Sequence, residues 1–438
     1  MKISEIHQLF LKSSGVAIDS RKIQKNNFFV AIKGENFDAN TFAKQALDNG
    51  ALCVVIDNPD YYIDEKTILV NNSLETLQEL ANFHRKHLNL PIIALTGSNG
   101  KTTTKELINV VLTEKYTTKA TIGNLNNHIG VPLTLLSFDY KTEIGIVEMG
   151  ANHKREIDFL CSIAEPNFGY ITNFGKAHLD GFGGFEGVIQ GKSELYDYIR
   201  SEEFDEEEDE ERLKKVFINL DDEIQLEKSE GLNRFSFSFK DKSANAFISS
   251  VDANPFVKMS FENIDIQSNL IGSYNAANIA SAITIGKYFK VDNTKIKKAI
   301  EHYIPANNRS QIIEKGSNKI ILDAYNANPS SMKVAVENFI NLKEHPKMMI
   351  LGDMFELGQE SLEEHKNIVS LLKNESDIDI LFVGNDFYSN KIQKDNISFL
   401  KSFDELKDYF ADKKIKNKSI LIKGSRGMAL ERVLDFIG

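Results

Sequence analysis

The run Pro91–Thr103 constrains the fold of this chain more than any other segment. It begins as the apolar stretch PIIAL, turns through TGSNG and continues into the helical pattern TTTKELINVVLTEK. A buried strand that leads through a glycine-rich turn into a helix is the geometry of a phosphate-binding loop. Glycines in such a loop let backbone N–H groups turn towards phosphate oxygens, and the helix N-terminus adds partial positive charge.

Two side chains at the start of this helix have the chemistry that such a loop needs. Lys101 places a positive charge near the terminal phosphates, and the hydroxyl of Thr102 can ligate Mg²⁺. The pattern GxxxxGK[ST] would put glycine at position 95, where this chain has Leu95, so the loop is a shorter variant. A glycine-rich turn with an unrelated lysine is the alternative. The predicted nucleotide-binding residues of the loop are Gly97, Ser98, Asn99, Gly100, Lys101, Thr102 and Thr103.

Other predicted strands also end in polar side chains. Glu148 ends the apolar run EIGIVEM, His178 lies in the loop after FGYITN, and Asp323 follows Ile320–Leu322. A carboxylate at the end of a buried strand is costly unless it is paired or metal-bound, so Glu148 is a candidate Mg²⁺ ligand. Each residue also has a plainer interpretation. Glu148 would face water, His178 would be a surface histidine, and Asp323 would form an Asx turn.

Strands alternate with helical patterns along the whole chain, which predicts an α/β fold with mostly parallel sheets. Its 438 residues suit about three domains. We predict a small N-terminal α/β domain over residues 1–88, a central P-loop domain over 89–304 and a C-terminal domain over 305–438. The last one has strand starts spaced as in right-handed βαβ units, which predicts a doubly wound, Rossmann-like sheet.

Composition and charge narrow the class of protein. The net charge is −11, which argues against a basic nucleic-acid binder. Much of that charge is local, because residues 202–211 contain nine acids and no base. We interpret this acidic run as a solvated, dispensable insertion. Two cysteines, no apolar leader and no long apolar run predict a cytoplasmic protein without a membrane span. The sequence does not determine the oligomeric state, and a monomer is our expectation.

A series of ordered motifs runs along almost the whole chain. The motifs are Asp19-Ser20-Arg21, TGSNGKT, TIGNLNNHIG, EMG, NFGKAHLDGF, Lys192, GSYNAAN, Arg309, DAYNANP, LGDMFELG and KGSRGM. Taken together, they resemble the Mur ligases, the ATP-dependent amide-forming enzymes of peptidoglycan precursor synthesis. DAYNANP with LGDMFELG resembles the member that adds D-alanyl-D-alanine to UDP-N-acetylmuramoyl-tripeptide.

The resemblance implies a UDP-sugar domain, an ATPase domain and a closing C-terminal domain, with ATP, two Mg²⁺ ions and an acyl-phosphate intermediate. The implied catalytic residues are Lys101, His178, Lys192 and Arg309. Adenine would lie near Asn275 and Asn278, phosphates near Arg309 and ribose near Asp323. The implied metal ligands are Thr102, Glu148, His178 and Lys192. Implied substrate contacts are Ser20, Arg21, Asn124, Asn127, Asn326 and Asn328.

Two positions need separate comment. From its pattern alone Lys192 is an ordinary solvated lysine at the start of the helix KSELYDYI, whereas the resemblance implies a lysine carried as a carbamate. Tyr274 stands where the family's Gly-x-His-Asn pattern has histidine, and we expect its ring to stack near adenine.

Two other functions would also use a phosphate-binding loop. One is a folylpolyglutamate-synthase-like ligase, which shares the central chemistry, and the other is a P-loop switch or motor that hydrolyses ATP without an amino-acid substrate.

Overall fold

The structure, a computed structural model, describes residues 1–201, 214–305, 308–411, 413 and 415–437. The acidic run 202–211 lies outside the described residues. Within them the chain forms three α/β regions, each built on its own mainly parallel sheet, and this agrees with the predicted fold class. The exact domain boundaries, 88/89 and 304/305, stay predictions.

The N-terminal region contains a parallel four-stranded sheet and a short antiparallel hairpin among the described residues. Its strands are β1 (Val16–Ala17), β2 (Phe28–Val30), β3 (Lys33–Gly34), β4 (Phe37–Asp38), β5 (Cys53–Ile56) and β6 (Thr67–Leu69). Its helices are α1 (Ile3–Phe10), α2 (Ala43–Asp48) and α3 (Ser73–Leu88). The sheet order is β1-β2-β5-β6, and β3 pairs with β4. Helix α3 has defined ends, because Asn72 caps its N-terminus and Asn89 adopts a left-handed conformation after its last residue.

The central region is built on one nine-stranded sheet within the described residues. Its strands are β7 (Ile92–Thr96), β8 (Thr118–Ala120), β9 (Ile144–Glu148), β10 (Phe168–Ile171), β11 (Lys215–Asn219), β12 (Arg234–Ser238), β13 (Ala246–Ala253), β14 (Phe256–Phe261) and β15 (Ile264–Ile271). Its helices are α4 (Lys101–Thr113), α5 (Gly130–Leu136), α6 (Glu156–Ala164), α7 (Leu179–Phe182), α8 (Phe185–Ser201), α9 (Glu223–Lys228), α10 (Tyr274–Tyr288) and α11 (Asn293–His302).

Strand order in this sheet positions the site. The order is β15-β14-β13-β12-β11-β10-β7-β9-β8, parallel except for the antiparallel β13–β14–β15 meander. Every residue of β7, β9 and β10 is buried, as expected for parallel strands covered on both faces. Because β7 lies between β9 and β10, the residues that follow all three strands meet at one edge of the sheet.

The C-terminal region has a six-stranded sheet in the described part of the chain. Its strands are β16 (Gln311–Lys315), β17 (Asn318–Asp323), β18 (Lys347–Gly352), β19 (Ile378–Val383), β20 (Ile397–Leu400) and β21 (Ser419–Lys423), and its helices are α12 (Pro329–Asn341), α13 (Ser361–Leu372), α14 (Asn385–Tyr388) and α15 (Phe403–Ala411). The order is β16-β17-β21-β18-β19-β20, with only β16 antiparallel among these strands. Strands β17, β21, β18 and β19 pair in parallel, as the predicted doubly wound sheet requires. The two edge strands, β16 and β20, were not predicted, since they are short and largely half-buried.

The N-terminal and central regions pack against each other. Helix α3 packs against α5 and α6 of the central region, and its buried Arg85 donates to the Ala164 carbonyl at 3.1 Å. Cys53 and Cys161 are both free and buried. No helix in the described part of the chain is both long enough and apolar enough to cross a bilayer.

A histidine cluster lies where α1 and α3 meet the segment after α5. His7 Nε2 and His84 Nδ1 are 3.0 Å apart, and His84 Nε2 lies 3.0 Å from the Phe138 carbonyl oxygen. Both rings are buried, and the ring of His87 lies 4.9 Å from that of His7. Burial, together with the neighbouring histidines His84 and His87, lowers the pKa of His7 to about 4. Burial also lowers the pKa of His84.

We predict that acid destabilises the protein through this cluster. A histidine that is neutral when folded takes up a proton on unfolding once the pH falls below about 6.5, so its stability contribution is complete above that value. The contribution from His7 is lost as the pH falls from about 6.5 to about 4, and amounts to at most about 3 kcal/mol. Urea denaturation of wild type and His7→Phe across this range measures it. An equally steep pH dependence in the variant would contradict the assignment.

Candidate active site

The glycine-rich loop is held against the residues that follow β10. Ser98 N–H donates to the Asn173 carbonyl at 3.0 Å, and the Thr172 hydroxyl donates to the Asn99 carbonyl at 2.6 Å. Gly97 has a φ of +140°, and a Cβ there would lie 2.0 Å from Thr172 Oγ1. The backbone therefore approaches a neighbouring strand more closely than any side chain would permit. Strand β7, the loop and helix α4 confirm the strand–loop–helix geometry predicted from the sequence.

Helix α10 closes the other side of the loop. Gly100 has a φ of +79°, and a Cβ on it would lie 2.6 Å from Asn278 Oδ1. Asn278 also accepts a hydrogen bond from the Thr104 hydroxyl at 3.1 Å and donates to Asn275 Oδ1 at 2.9 Å. The two predicted adenine contacts, Asn275 and Asn278, thus form a buried amide pair that supports the loop.

Lys101 and Thr102 occupy the first turn of α4. Lys101 Nζ donates to the Gly97 carbonyl at 2.7 Å, so the ammonium folds back over the loop. Burial lowers the pKa of Lys101, and the charge of Glu148 opposes that effect. A cation held in this way lies where phosphate oxygens would bind to the backbone N–H groups of the loop.

Glu148 is a buried carboxylate whose hydrogen bonding is incomplete. Its side chain is 1% exposed, and Oε1 accepts from the Thr102 hydroxyl at 3.2 Å and from Asn126 Nδ2 at 2.8 Å. Oε2 is buried without a hydrogen-bond partner. Burying an unpaired carboxylate oxygen is costly, and a cation at that position removes the cost. Glu148 and Thr102 therefore fit a Mg²⁺ site.

Protein ligands alone would not enclose such an ion. Among the described residues, no group of three or more His, Cys, Asp or Glu side chains converges as a metal site. Mg²⁺ commonly binds through one or two carboxylates together with substrate phosphates and water. The donor set of Glu148 and Thr102 suits that mode of binding.

A cleft of about 1100 Å³ opens at this edge of the central sheet and extends to the C-terminal region. It brings together most of the residues predicted from the sequence. Those that line it are Ser98, Asn99, Gly100, Lys101, Thr102, Thr103, Asn124, Asn127, Glu148, His178, Asn275, Asn278, Arg309, Asp323, Asn326 and Asn328. Gly97, Lys192, Ser20 and Arg21 are not among the described residues that line it.

Arg309 projects from the connection between the central and C-terminal regions. Its guanidinium carbon lies 3.7 Å from the centroid of the Tyr325 ring, and its Nε is buried without a hydrogen-bond partner. Since an arginine fork suits phosphate oxygens, this unsatisfied donor fits the predicted phosphate contact.

Asp323 and Tyr274 have protein partners. Asp323 Oδ2 pairs with Lys423 Nζ at 2.6 Å, and Oδ1 accepts from Ser310 N–H at 3.1 Å. The Tyr274 hydroxyl lies 2.7 Å from Ser310 Oγ, and burial raises the pKa of this phenol. The ring of Tyr274 lines the cleft, and its predicted stacking with adenine stays a prediction.

The C-terminal region makes polar contacts with both the phosphate-binding loop and the loop that follows β10. Asn328 Nδ2 donates to Asn99 Oδ1 at 2.7 Å while its own Oδ1 caps α12 by accepting from Ser331 N–H. Lys176 Nζ pairs with Glu364 Oε1 at 2.5 Å. The hydrogen bond from Asn328 thus joins the DAYNANP segment directly to the phosphate-binding loop.

His178 also meets the C-terminal region. It lies in an ion-pair contact with Glu356 of the LGDMFELG motif, and this contact lowers the pKa of Glu356. Asp353 anchors the motif by accepting from the N–H groups of Asp386 and Phe387 at 3.0 and 2.9 Å. Burial raises the pKa of Asp353.

Comparison with known proteins relates this site to one family. Residues 12–85 match the model described as Mur ligase family, catalytic domain, residues 95–286 match the Mur ligase middle domain, and residues 308–426 match the Mur ligase, glutamate ligase domain. The UDP-N-acetylmuramoyl-tripeptide--D-alanyl-D-alanine ligase of Bacillus subtilis is 32% identical over 96% of this chain and 92% of its own length. This chain belongs to the Mur ligase family.

Solved structures of Mur ligases are similar along the whole length. The UDP-N-acetylmuramoylalanyl-D-glutamyl-2,6-diaminopimelate--D-alanyl-D-alanyl ligase of Acinetobacter baumannii has a TM-score of 0.82 at 27% identity, covering 99% of this chain and 97% of that one. MurF ligase from Thermotoga maritima, solved in complex with ADP, has a TM-score of 0.82 at 25% identity, covering 98% and 97%. The three-part α/β architecture is therefore that of the Mur ligases.

Lys192 of this Mur ligase is not the solvated lysine that its sequence pattern predicted. Its helix, α8, begins at Phe185, so Lys192 lies in the middle, where its side chain is fully buried. Nζ donates to the Ala151 carbonyl at 3.0 Å and lies 4.9 Å from the Phe182 ring centroid. Burial, with the charge of Lys101, lowers the pKa of Lys192 well below its usual value.

Ser20 and Arg21 lie in the N-terminal region. Ser20 is buried, and Arg21 pairs with Asp19 at 2.9 Å and is largely exposed. The Asp19 carboxylate also accepts from Arg21 N–H at 3.1 Å. Their predicted contact with the uridine nucleotide stays a prediction.

Two residues that contact predicted site residues, Asn126 and Tyr325, were not predicted from the sequence. Asn126, which donates to Glu148, lies in the loop TIGNLNNHIG, but only its neighbours Asn124 and Asn127 were among the contacts implied by the resemblance. Asn127 instead uses Oδ1 to accept from the N–H groups of Ile129 and Gly130, at the start of α5. Tyr325, beneath Arg309, lies in DAYNANP, where only the acid and amides had been considered. The density of amides was the one signal that pointed to Asn126.

We predict that Lys101→Ala removes most of the ATP-dependent activity and leaves the fold intact. The ammonium is held over the loop where phosphate charge is expected, so the change should lower kcat by about 10²-fold or more. Steady-state turnover and thermal melting, with the exposed Lys141→Ala as control, measure this. Near-normal turnover in Lys101→Ala would show that the loop does not use its lysine.

Proposed function

We propose that this Mur ligase joins D-alanyl-D-alanine to UDP-N-acetylmuramoyl-tripeptide, with ATP converted to ADP and phosphate. The observation that carries the proposal is full-length similarity to a Bacillus subtilis ligase named for that reaction, at 32% identity. The cleft supports it, because a phosphate-binding loop and the DAYNANP segment line the same opening. The reaction belongs to peptidoglycan precursor synthesis, and the predicted cytoplasmic location is part of this proposal.

The chemistry begins with a carboxylate, which is a poor electrophile. Attack of a tripeptide carboxylate oxygen on the γ-phosphorus of ATP would give an acyl phosphate and ADP. The amine of D-alanyl-D-alanine would then add to the acyl carbon, and the tetrahedral intermediate would expel phosphate to leave the amide. Lys101 and Arg309, both lining the cleft, would offset charge on the transferred phosphoryl group.

Mg²⁺ fits the site through Thr102 and Glu148, as the unpaired Glu148 Oε2 indicates. When bound, it would neutralise negative charge on the phosphate oxygens and hold them in line. Asn126 would orient the Glu148 carboxylate through the bond to Oε1. We include a second ion in the proposal, with His178 and a carbamate on Lys192 as its protein ligands.

The surroundings of Lys192 support the carbamate. The ammonium first loses one proton, and the neutral amine then attacks the carbon of CO₂. The N–C bond forms as one C–O π bond opens, and a second proton leaves the nitrogen, so a cation becomes an anion. Only the neutral amine reacts, and a pKa lowered by burial favours that form. The change of two charge units next to Lys101 and the phosphate site would be large in a buried environment.

The remaining sequence assignments complete the proposal. Ser20 and Arg21 would contact the uridine nucleotide, Asn124 and Asn127 the muramoyl-peptide, and Asn326 and Asn328 the dipeptide side. Asn275 and Asn278 would lie near adenine, and Asp323 near the ribose. The contact between Asn328 and Asn99 supports a closed arrangement, in which water would be excluded from the acyl phosphate.

Phosphate release measured with each substrate omitted in turn tests the reaction. We expect rapid release only when ATP, UDP-N-acetylmuramoyl-tripeptide and D-alanyl-D-alanine are all present, with mass spectrometry showing the joined product. A folylpolyglutamate-synthase-like ligase would instead use a folate and glutamate. A P-loop switch would release phosphate without either peptide. Either of those results would overturn the proposal.

We predict that Lys192→Ala abolishes most activity and that Lys192→Arg does not restore it. Arginine keeps the positive charge but cannot form the carbamate, so charge alone should not suffice. Short carboxylates added to Lys192→Ala should recover part of the turnover by supplying an anion. Mass spectrometry of the intact wild-type protein in bicarbonate should show about 44 Da of added CO₂. Full activity of a bare Lys192 would refute the carbamate.

A further inference from the structure

Arg155 is an arginine in a backbone conformation that arginine rarely adopts. It directly precedes α6 and has a φ of +69°. The left-handed region is costly for a residue with a Cβ, and glycine or asparagine usually fills such positions. Strained residues of this kind cluster at functional sites. Its side chain is exposed and lines the same cleft as the phosphate-binding loop.

The backbone around Arg155 is fixed by two carboxylates. Glu194 on α8 accepts from the N–H of Arg155 at 2.5 Å through Oε1 and from the N–H of Asp158 at 3.1 Å through Oε2. Glu156 accepts from the N–H groups of Asn152 and His153 at 2.6 and 3.1 Å. The first N–H groups of α6 are thus partly satisfied by protein, and these carboxylates are engaged with the backbone.

The guanidinium group of Arg155 has no such engagement. Among the described residues, no hydrogen bond, ion pair or ring contact involves it. The neighbouring cation differs, since Lys154 Nζ donates to Gln190 Oε1 at 2.7 Å. Arg155 therefore presents a free, planar set of donors to the cleft, on a backbone held in place by Glu194.

We propose that Arg155 binds a non-reacting carboxylate of the peptide substrate. The inference rests on the proposed function, in which a muramoyl-tripeptide enters this cleft. One carboxylate of that peptide reacts with ATP, and the others must be accommodated. An arginine fork pairs with a carboxylate through two parallel hydrogen bonds, and this fixes orientation as well as affinity.

Two carboxylates could supply this chemistry. The name of the Acinetobacter baumannii ligase gives a peptide of alanyl, D-glutamyl and 2,6-diaminopimelate residues. Such a peptide has a spare carboxylate on the glutamyl residue and another on the diaminopimelate side chain. Lysine as the third residue would lack the second of these, so binding by Arg155 also bears on which third residue the enzyme accepts.

Arg155→Gln tests the proposal with three substrates. They are the parent tripeptide, an analogue whose spare glutamyl carboxylate is a primary amide, and an analogue with lysine in place of diaminopimelate. We expect the variant to raise KM for the parent by about 10- to 100-fold, the range for a lost charge-assisted hydrogen bond. KM for ATP and for D-alanyl-D-alanine should stay within about 2-fold. Lys154→Gln is the matched control and should leave all three KM values near wild type.

The analogues identify the carboxylate. On the analogue that lacks the bound group, wild type should already show the raised KM, and Arg155→Gln should add no further loss. Independent, multiplicative losses on both analogues would overturn the proposal, as would an unchanged KM for the parent. Calorimetric measurement of parent-tripeptide binding separates the Arg155 proposal from the proposed ligase reaction. Wild-type binding without turnover would reject the proposed reaction but not Arg155.

A second variant separates binding from folding. Arg155→Gly keeps the backbone hydrogen bond to Glu194 and removes the cost of the left-handed conformation, so its Tm should equal or exceed that of wild type. KM for the parent tripeptide should rise as in Arg155→Gln. A stabilised variant with weakened substrate binding is the expected result. A lowered Tm together with an unchanged KM would show that Arg155 serves the fold alone.

Discussion

The site depends on a buried carboxylate that the protein only half satisfies. Glu148 ends a strand on which every residue is buried, and its Oε1 receives hydrogen bonds from Thr102 and Asn126 while Oε2 receives none. Such a group is costly in isolation and becomes favourable when a cation joins it. Because Thr102 belongs to the first turn after the phosphate-binding loop, one ion at this position would touch both protein and nucleotide. The hydrogen bond from Thr102 to Glu148 joins the start of α4 to the end of β9 at this point.

The ends of strands β7, β9 and β10 meet at the site, and the segment that follows β10 connects them to the C-terminal region. Thr172 and Asn173 hold the loop, and the segment that follows them reaches across to the C-terminal region through Lys176 and His178. Asn328 completes the connection by bonding Asn99 directly. A reaction that passes through an acyl phosphate needs its acceptor close and its water excluded, and these polar contacts place both regions around a single opening.

The buried strands and the phosphate-binding loop could be predicted from the sequence because each is specified by a short local segment. Continuous apolar runs identified the buried strands, and TGSNGKT identified the loop, since a short segment specifies both. Edge strands such as Gln311–Lys315 were missed because they are half-buried and carry no continuous apolar run. The environment of Lys192 could not be read from its helix, since its burial comes from packing against distant residues such as Phe182 and Ala151. The engagement of Asp323 by Lys423 likewise joins residues 100 positions apart.

The central chemical claim is that ATP activates the tripeptide carboxylate as an acyl phosphate in this cleft. Tripeptide labelled with ¹⁸O in its reacting carboxylate, incubated with ATP and D-alanyl-D-alanine, tests it directly. The attacking carboxylate oxygen becomes the bridging oxygen of the acyl phosphate and leaves with the phosphoryl group. One labelled oxygen per turnover should therefore appear in the inorganic phosphate, as read by mass spectrometry or ³¹P NMR. Amide product formed with no label in the phosphate would contradict this account.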